Sequence, residues 1–197
     1  MRNQRTQTLA MTALMAALIV VLGFTPLGLI PLGFINVTTL CIPVIIGTVV
    51  LGMKPGLVLG GCFGLVSLYK ALSAPSALVA PIVQASIPLL VVMSLLPRLL
   101  LPLSAYFAHK LFSHGKNAHR WNVVSAAIAG SLTNTLCYLG LMVLFYFMIG
   151  LDAPAIIGTV LSVAGVAGTS EAVVAAMIAS PLAAALQKFY HKGGNRS

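Results

Sequence analysis

Lys70, Arg98, Asn134 and Glu171 place polar chemistry inside otherwise apolar sequence. Arg98 sits in "LLPRLLLP", with Pro97 just before it and Pro102 after it; Asn134 sits in "SLTNTL" and Glu171 in "TSEAVV". A guanidinium is a planar fork of donors matched to a carboxylate, and an asparagine amide offers both a donor and an acceptor to amide or hydroxyl groups. Such a set suits recognition of a small anionic molecule. It does not suit catalysis: no paired carboxylates, metal-ligating cluster or Ser/His arrangement shares a level with these residues, so no catalytic or metal-binding residue is assigned. There is no G-x-x-x-x-G-K-[ST] phosphate loop, and Asp plus Glu total only 2. Neither nucleotide hydrolysis nor a carboxylate proton relay can be assembled from that inventory.

Each of these residues has a structural competitor to its functional reading. Arg98 and Glu171 could pair with each other as a buried bridge, and Lys70, near the end of its run, could snorkel to an interface. Asp152, beside Pro154, reads as a solvated helix N-cap and is not counted as a site residue.

The sequence around them says what must hold them in place. A chain with 59% hydrophobic and 7% charged residues has too little polar surface to fold in water. Its apolar runs are continuous and not alternating, which makes them membrane-spanning helices and not barrel strands. The expected fold is an all-α integral membrane protein, a single domain over residues 1–197. Six transmembrane helices are expected in one bundle, near 8–24, 38–53, 55–72, 81–112, 121–150 and 155–187. "GMKPG" should form a tight hairpin between the second and third, and the last three runs are long enough to tilt, kink or protrude. The first run follows "MRNQRTQ" and reads as a retained helix, with a signal anchor as the competing case. Cys41, Cys62 and Cys137 lie within the runs without metal-like spacing and read as packing residues.

Charge then sets the topology. With both termini cytoplasmic, Arg2, Arg5, Lys54, Lys110, Lys116, Arg120, Lys188, Lys192 and Arg196 fall on the cytoplasmic side together with all four histidines. The net charge of +9 is therefore largely topological. It points to lipid headgroups of the cell membrane and excludes a nucleic-acid partner, since no basic surface interleaved with aromatics exists. Counting about 1.5 Å per residue from the nearest cytoplasmic charge puts Arg98 about 18 Å along its helix, Asn134 about 21 Å, Lys70 about 24 Å and Glu171 about 25 Å. Four helices thus offer polar groups at similar depth in the outer half of the bilayer, as one outward-facing pocket requires. The same topology puts residues 25–39 and 72–81 outside; both are apolar yet punctuated by Pro and Gly. They suit loops folded over a pocket mouth, the alternative being ordinary interfacial connections. Ala13 and Ala17, one turn apart, and the stripe Gly56, Gly60 and Gly64 allow helices to approach closely.

Five blocks in order, "ALMAALIVVLG", "NVTTLCIPVIIGTVVLGMKPG" with "GLVLGGCFGLVSL", "LLPRLLLPL", "AGSLTNTLCYLGL" and "TSEAVVAAMIASPL", resemble the substrate-binding S components of energy-coupling factor (ECF) vitamin transporters. The likeness covers nearly the whole chain and is most similar to the pantothenate S component, with folate, niacin and cobalamin relatives as near neighbours. The resemblance implies a six-helix bundle whose first three helices face a transmembrane coupling subunit (EcfT-type), through an Ala-x-x-x-Ala motif at Ala13 and Ala17. Two cytoplasmic ATPases (EcfA-type) would supply the energy. It further implies a vitamin held near the extracellular side by the later helices and outer loops, with Arg98 and Asn134 as ligand contacts. Glu171 would add pocket polarity or orient Arg98, and Lys70 joins the candidate substrate-binding set. Cys41 and Leu101 depart from the family pattern, standing where relatives carry His and Gly. The expected function is a high-affinity vitamin-binding subunit that loads outside and delivers inward, not an enzyme and without a cofactor. A stand-alone secondary carrier with Glu171 as its proton site is the rival from another class.

Overall fold

Apolar sequence that must satisfy its own backbone in lipid has helices as its main solution, and helices dominate here. The computed structural model describes residues 2–25, 28–31, 36–112, 118–150 and 153–194. Among them run α1 (Arg2–Gly23), strands β1 (Leu29–Pro31) and β2 (Asn36–Thr38), α2 (Cys41–Leu51), α3 (Met53–Ser73), α4 (Ala80–Ala85), α5 (Ile87–Leu111), α6 (Ala118–Ile149) and α7 (Ala153–Gly194). β1 and β2 pair antiparallel, with Leu29 opposite Thr38 and Pro31 opposite Asn36. Asp152, Lys116 and Arg196 lie outside the described residues, as do 26–27 and 32–35 of the 25–39 segment.

Among the described residues, four helical stretches are long and apolar enough to cross a membrane: Gln4–Gly23, Met53–Ser73, Ile87–Leu111 and Asn122–Ile149. Several bounds differ from expectation, α1 starting at Arg2 and α7 running on to Gly194, and two of the differences have a local reason. The run expected from residue 38 starts as helix only at Cys41, because Asn36–Thr38 is taken up as a strand. The run expected over 81–112 divides at Ser86, which is extended (φ −161°, ψ 111°). Pro88 has no N–H for the carbonyl of Gln84, and its ring crowds that carbonyl, which favours a break here even though α5 carries Pro97 and Pro102 within it.

The chain enters α3 from α2 through Gly52, at φ 97° and ψ −179°, a conformation open to glycine and costly to any residue with a Cβ. The tight joint read from "GMKPG" is thereby made in a single residue. α2 is enclosed: every residue from Cys41 to Val49 is buried, the expected fate of a helix apolar all round. α7 sorts its residues by size. Ala172, Ala175, Ala179 and Ala183 are buried, whereas Val173, Met177, Ile178 and Leu182 are exposed. Small residues inward and large apolar residues outward is the pattern of a helix packed closely among others and facing lipid.

Two apolar clusters fill the interior. One gathers α1, α2 and α3 with Leu101, Ala105, Ala126, Ala127, Ala175 and Ala179; the other gathers Ile82, Leu90, Met93, Leu139, Met142 and Val160. On α5, α6 and α7 alike, the polar residue of interest falls between the positions belonging to the two clusters. Arg98, Asn134 and Glu171 form a buried polar band between two greasy layers.

Candidate functional site

The band is built from the prolines of α5. Without an N–H at Pro97, the carbonyl of Met93 loses its donor in the helical ladder. Arg98 supplies one in its place: Nη1 donates to the Met93 carbonyl over 3.1 Å. The guanidinium carbon then lies 4.4 Å from the Tyr138 ring centroid and 5.2 Å from that of Phe63. Two ring faces fix the plane of the charge, an arrangement favourable for Arg and stronger when desolvated. Pro102 frees the carbonyl of Arg98 in the same manner, and Gly60 of α3 lies directly against that oxygen. Gly64, one turn on, leaves room for Leu95, whose Cδ2 stands 2.7 Å from where a Cβ would be. The glycine stripe thus lets α3 touch α5 at the turn that carries Arg98.

Arg98 is buried, and its Nε has no hydrogen-bond partner. Since Nη1 is spent on Met93, the fork edge that contains Nε stays uncommitted, and that edge can take a carboxylate side-on. Asn134 is likewise buried with an unpartnered Oδ1. It lies one helical turn from Tyr138 on the same face of α6. A buried polar atom left unpaired costs free energy comparable to a lost hydrogen bond, so this donor and this acceptor can each take a polar partner.

Glu171 is committed elsewhere. Its Oε1 accepts the Thr38 backbone N–H at 2.8 Å and its Oε2 accepts the Thr135 hydroxyl at 2.9 Å. The direct Arg98–Glu171 bridge that the sequence allowed is not formed: Arg98 donates to Met93 and Glu171 accepts from Thr38 and Thr135. The Thr38 hydroxyl donates to the Gly28 carbonyl at 3.3 Å and accepts the Leu40 N–H at 3.1 Å. Cys41, expected only to pack, joins this network through a 3.6 Å contact from its thiol to the Thr38 carbonyl.

Lys70 stands apart. Its Nζ lies 5.4 Å from the Phe24 ring centroid, and Phe24 in turn packs against Tyr69 at 5.4 Å between centroids. This places the lysine on an aromatic pair at the α1–α3 end, with no contact to Arg98, Asn134 or Glu171. Ala13 and Ala17 are exposed on α1 beside Leu14 and Leu18, while Met15 and Ile19 turn inward. The 72–81 segment is tied to α6 by a hydrogen bond from the Tyr146 hydroxyl to the Leu78 carbonyl at 2.7 Å.

Sequence reasoning missed Phe63, Tyr138, Thr38 and Thr135. Tyr138 was within reach, because it follows Asn134 by four residues and shares its face. Thr38 and Phe63 come from elements far away in sequence and carried no local signal.

Apolar helices enclosing a desolvated, partly unpaired polar set define a membrane protein with a polar interior band. Residues 7–185 match the sequence profile of the family described as "ECF transporter, substrate-specific component". The chain belongs to that family, whose members are transporter components and not enzymes. It is 30% identical over 156 residues to the pantothenic acid transporter PanT of Lactococcus lactis subsp. cremoris (strain MG1363), covering 74% of this chain and 77% of that relative.

Proposed function

We propose that this chain is the vitamin-binding subunit of an energy-coupling factor transporter in the cell membrane and that its substrate is pantothenate. The observation that carries this reading is the unpaired couple in the polar band, the Arg98 Nε donor and the Asn134 Oδ1 acceptor. Pantothenate has one carboxylate, one amide and two hydroxyls. Its carboxylate answers the open edge of the Arg98 fork, and an N–H or O–H answers Asn134. The likeness to PanT supports the choice of vitamin. Arg98 and Asn134 are the proposed ligand contacts, Glu171 a positioning residue, and Lys70 a residue of the rim.

In this reading six helices pass the membrane with both termini cytoplasmic, and the β1–β2 hairpin and the 72–81 segment cover the mouth of the pocket outside. Energy comes from two cytoplasmic ATPases acting through a transmembrane coupling subunit, which docks on the α1 face bearing Ala13 and Ala17. The exposure of both alanines supports that face.

Calorimetric titration of the purified chain in detergent with pantothenate, then with folate, niacin and cobalamin, tests the proposal. Saturable heat with pantothenate alone is the expected result. Binding of a different vitamin discards the substrate and keeps the class; uptake into vesicles that contain this chain alone would favour a secondary carrier and discard the coupled mechanism.

A further inference from the structure

The two oxygens of Glu171 join three separate parts of the chain. One holds the last residue of β2, the other holds α6 at the residue next to Asn134, and the carboxylate itself belongs to α7. Thr38 is buried, so the bond to its N–H is shielded from water. The hairpin is short, three residues in each strand, and a two-stranded ribbon of that size has little stability alone. Its seat must come from tertiary contacts, and among the described residues the Glu171 carboxylate reaches from α7 to the β2 strand at Thr38, beside the contact of the Cys41 thiol with the Thr38 carbonyl.

We infer that Glu171 is a latch: a positioning residue that fastens the β1–β2 hairpin over the polar band by hydrogen-bond geometry, and neither contacts the ligand nor serves as the counterion of Arg98. The functional consequence, control of vitamin release, rests on the pocket reading above; the latch itself does not. The chemistry separates latch from counterion. A glutamine at 171 keeps an oxygen for the Thr38 N–H, and its NH2 can donate to the Thr135 hydroxyl, which rotates to accept. Glu171→Gln therefore removes the charge and preserves both bonds, whereas Glu171→Ala removes both bonds.

Amide hydrogen exchange at Thr38, measured on the full chain in detergent without any vitamin, tests the latch directly. Glu171→Ala should accelerate exchange there about tenfold, the worth of one buried hydrogen bond. Glu171→Gln should keep Thr38 protected, and Thr135→Val, which frees one side of the carboxylate, should fall between them. If Glu171→Ala does not fold, the other two variants carry the test. Exchange accelerated in Glu171→Gln to the level of Thr135→Val or beyond, or unchanged in Thr135→Val and Glu171→Ala alike, overturns the latch. Dissociation of radiolabelled pantothenate from the same proteins then reads the consequence, with faster release in Glu171→Ala than in Glu171→Gln. Absence of pantothenate binding to the wild-type chain would count against the substrate while leaving the exchange result standing.

Discussion

Two adjacent glycines in α3 should respond to the same substitution with opposite sign. A Cβ at Gly60 would collide with the carbonyl oxygen of Arg98, and at Gly61 it would meet nothing within 4 Å. In either place alanine restricts the unfolded chain and favours helix by about 0.5–1 kcal/mol. That gain is common to both, so it cancels in the comparison. What remains for Gly60→Ala is the cost of overpacking, typically about 1–3 kcal/mol. Here the obstacle is backbone and cannot rotate aside; α3 and α5 must separate or twist. The residue pushed is Arg98 itself, held in register by Met93, Tyr138 and Phe63. Gly61→Ala should therefore melt at or slightly above the wild-type temperature and bind vitamin normally, and Gly60→Ala should melt several degrees lower and bind more weakly. Thermal unfolding in detergent followed by calorimetric titration reads both effects. Equal melting temperatures and equal affinities for the two variants would refute the claim that Gly60 sets the height of Arg98.

Arg98→Ala and Arg98→Lys should each weaken pantothenate binding by about 1.5–3 kcal/mol, the worth of hydrogen bonds to a charged group, because lysine keeps the charge and loses the fork. The alcohol analogue, with CH2OH in place of the carboxylate, should bind these variants and the wild type with similar weak affinity, as titration would show. Pro97→Ala returns an N–H beneath the Met93 carbonyl, so it should stabilise α5 by up to about 3 kcal/mol while loosening the hold on Arg98 and lowering affinity; melting and titration of the same sample check the opposed signs. Ala13→Trp or Ala17→Trp should abolish vitamin uptake by cells and leave binding by the purified chain intact; uptake at the wild-type rate would move the docking face elsewhere.

The helical runs were legible because lipid leaves a chain few ways to satisfy its backbone, and length plus apolarity is then nearly sufficient. Arg98, Asn134 and Glu171 were legible for a related reason: a charge or amide in such a run is expensive enough to announce itself. Their partners were not. Tyr138 and Phe63 look like any apolar residue until a guanidinium lies between them, and Thr38 gained its role from a backbone N–H, which every non-proline residue possesses. The depth count set Lys70 beside Arg98 because it measured position along a helix and not direction around it. The structure turns the lysine toward Phe24. The break at Ser86 was readable in principle from Pro88 and was masked by the continuous hydropathy on both sides.

The separation of Arg98 from Glu171 has a consequence for binding. Had the two charges closed on each other, each would have satisfied the other's hydrogen-bonding groups, and an incoming anion would have had to break a buried pair before it gained anything. Instead each is held by neutral groups: Arg98 by a carbonyl that Pro97 set free and by two rings, Glu171 by a backbone N–H and a hydroxyl. Neutral partners hold a charge in position without cancelling it. Arg98 thus keeps both its charge and one open edge for a carboxylate, while the negative charge nearby is turned toward the hairpin. The Met93 tether explains why Pro97, a liability to any helix, lies where it does: it supplies the carbonyl that makes a neutral partner for Arg98 available inside an otherwise closed ladder. A direct salt bridge would have been the simpler way to bury two charges, and it would have occupied the edge of Arg98 that the proposed site needs.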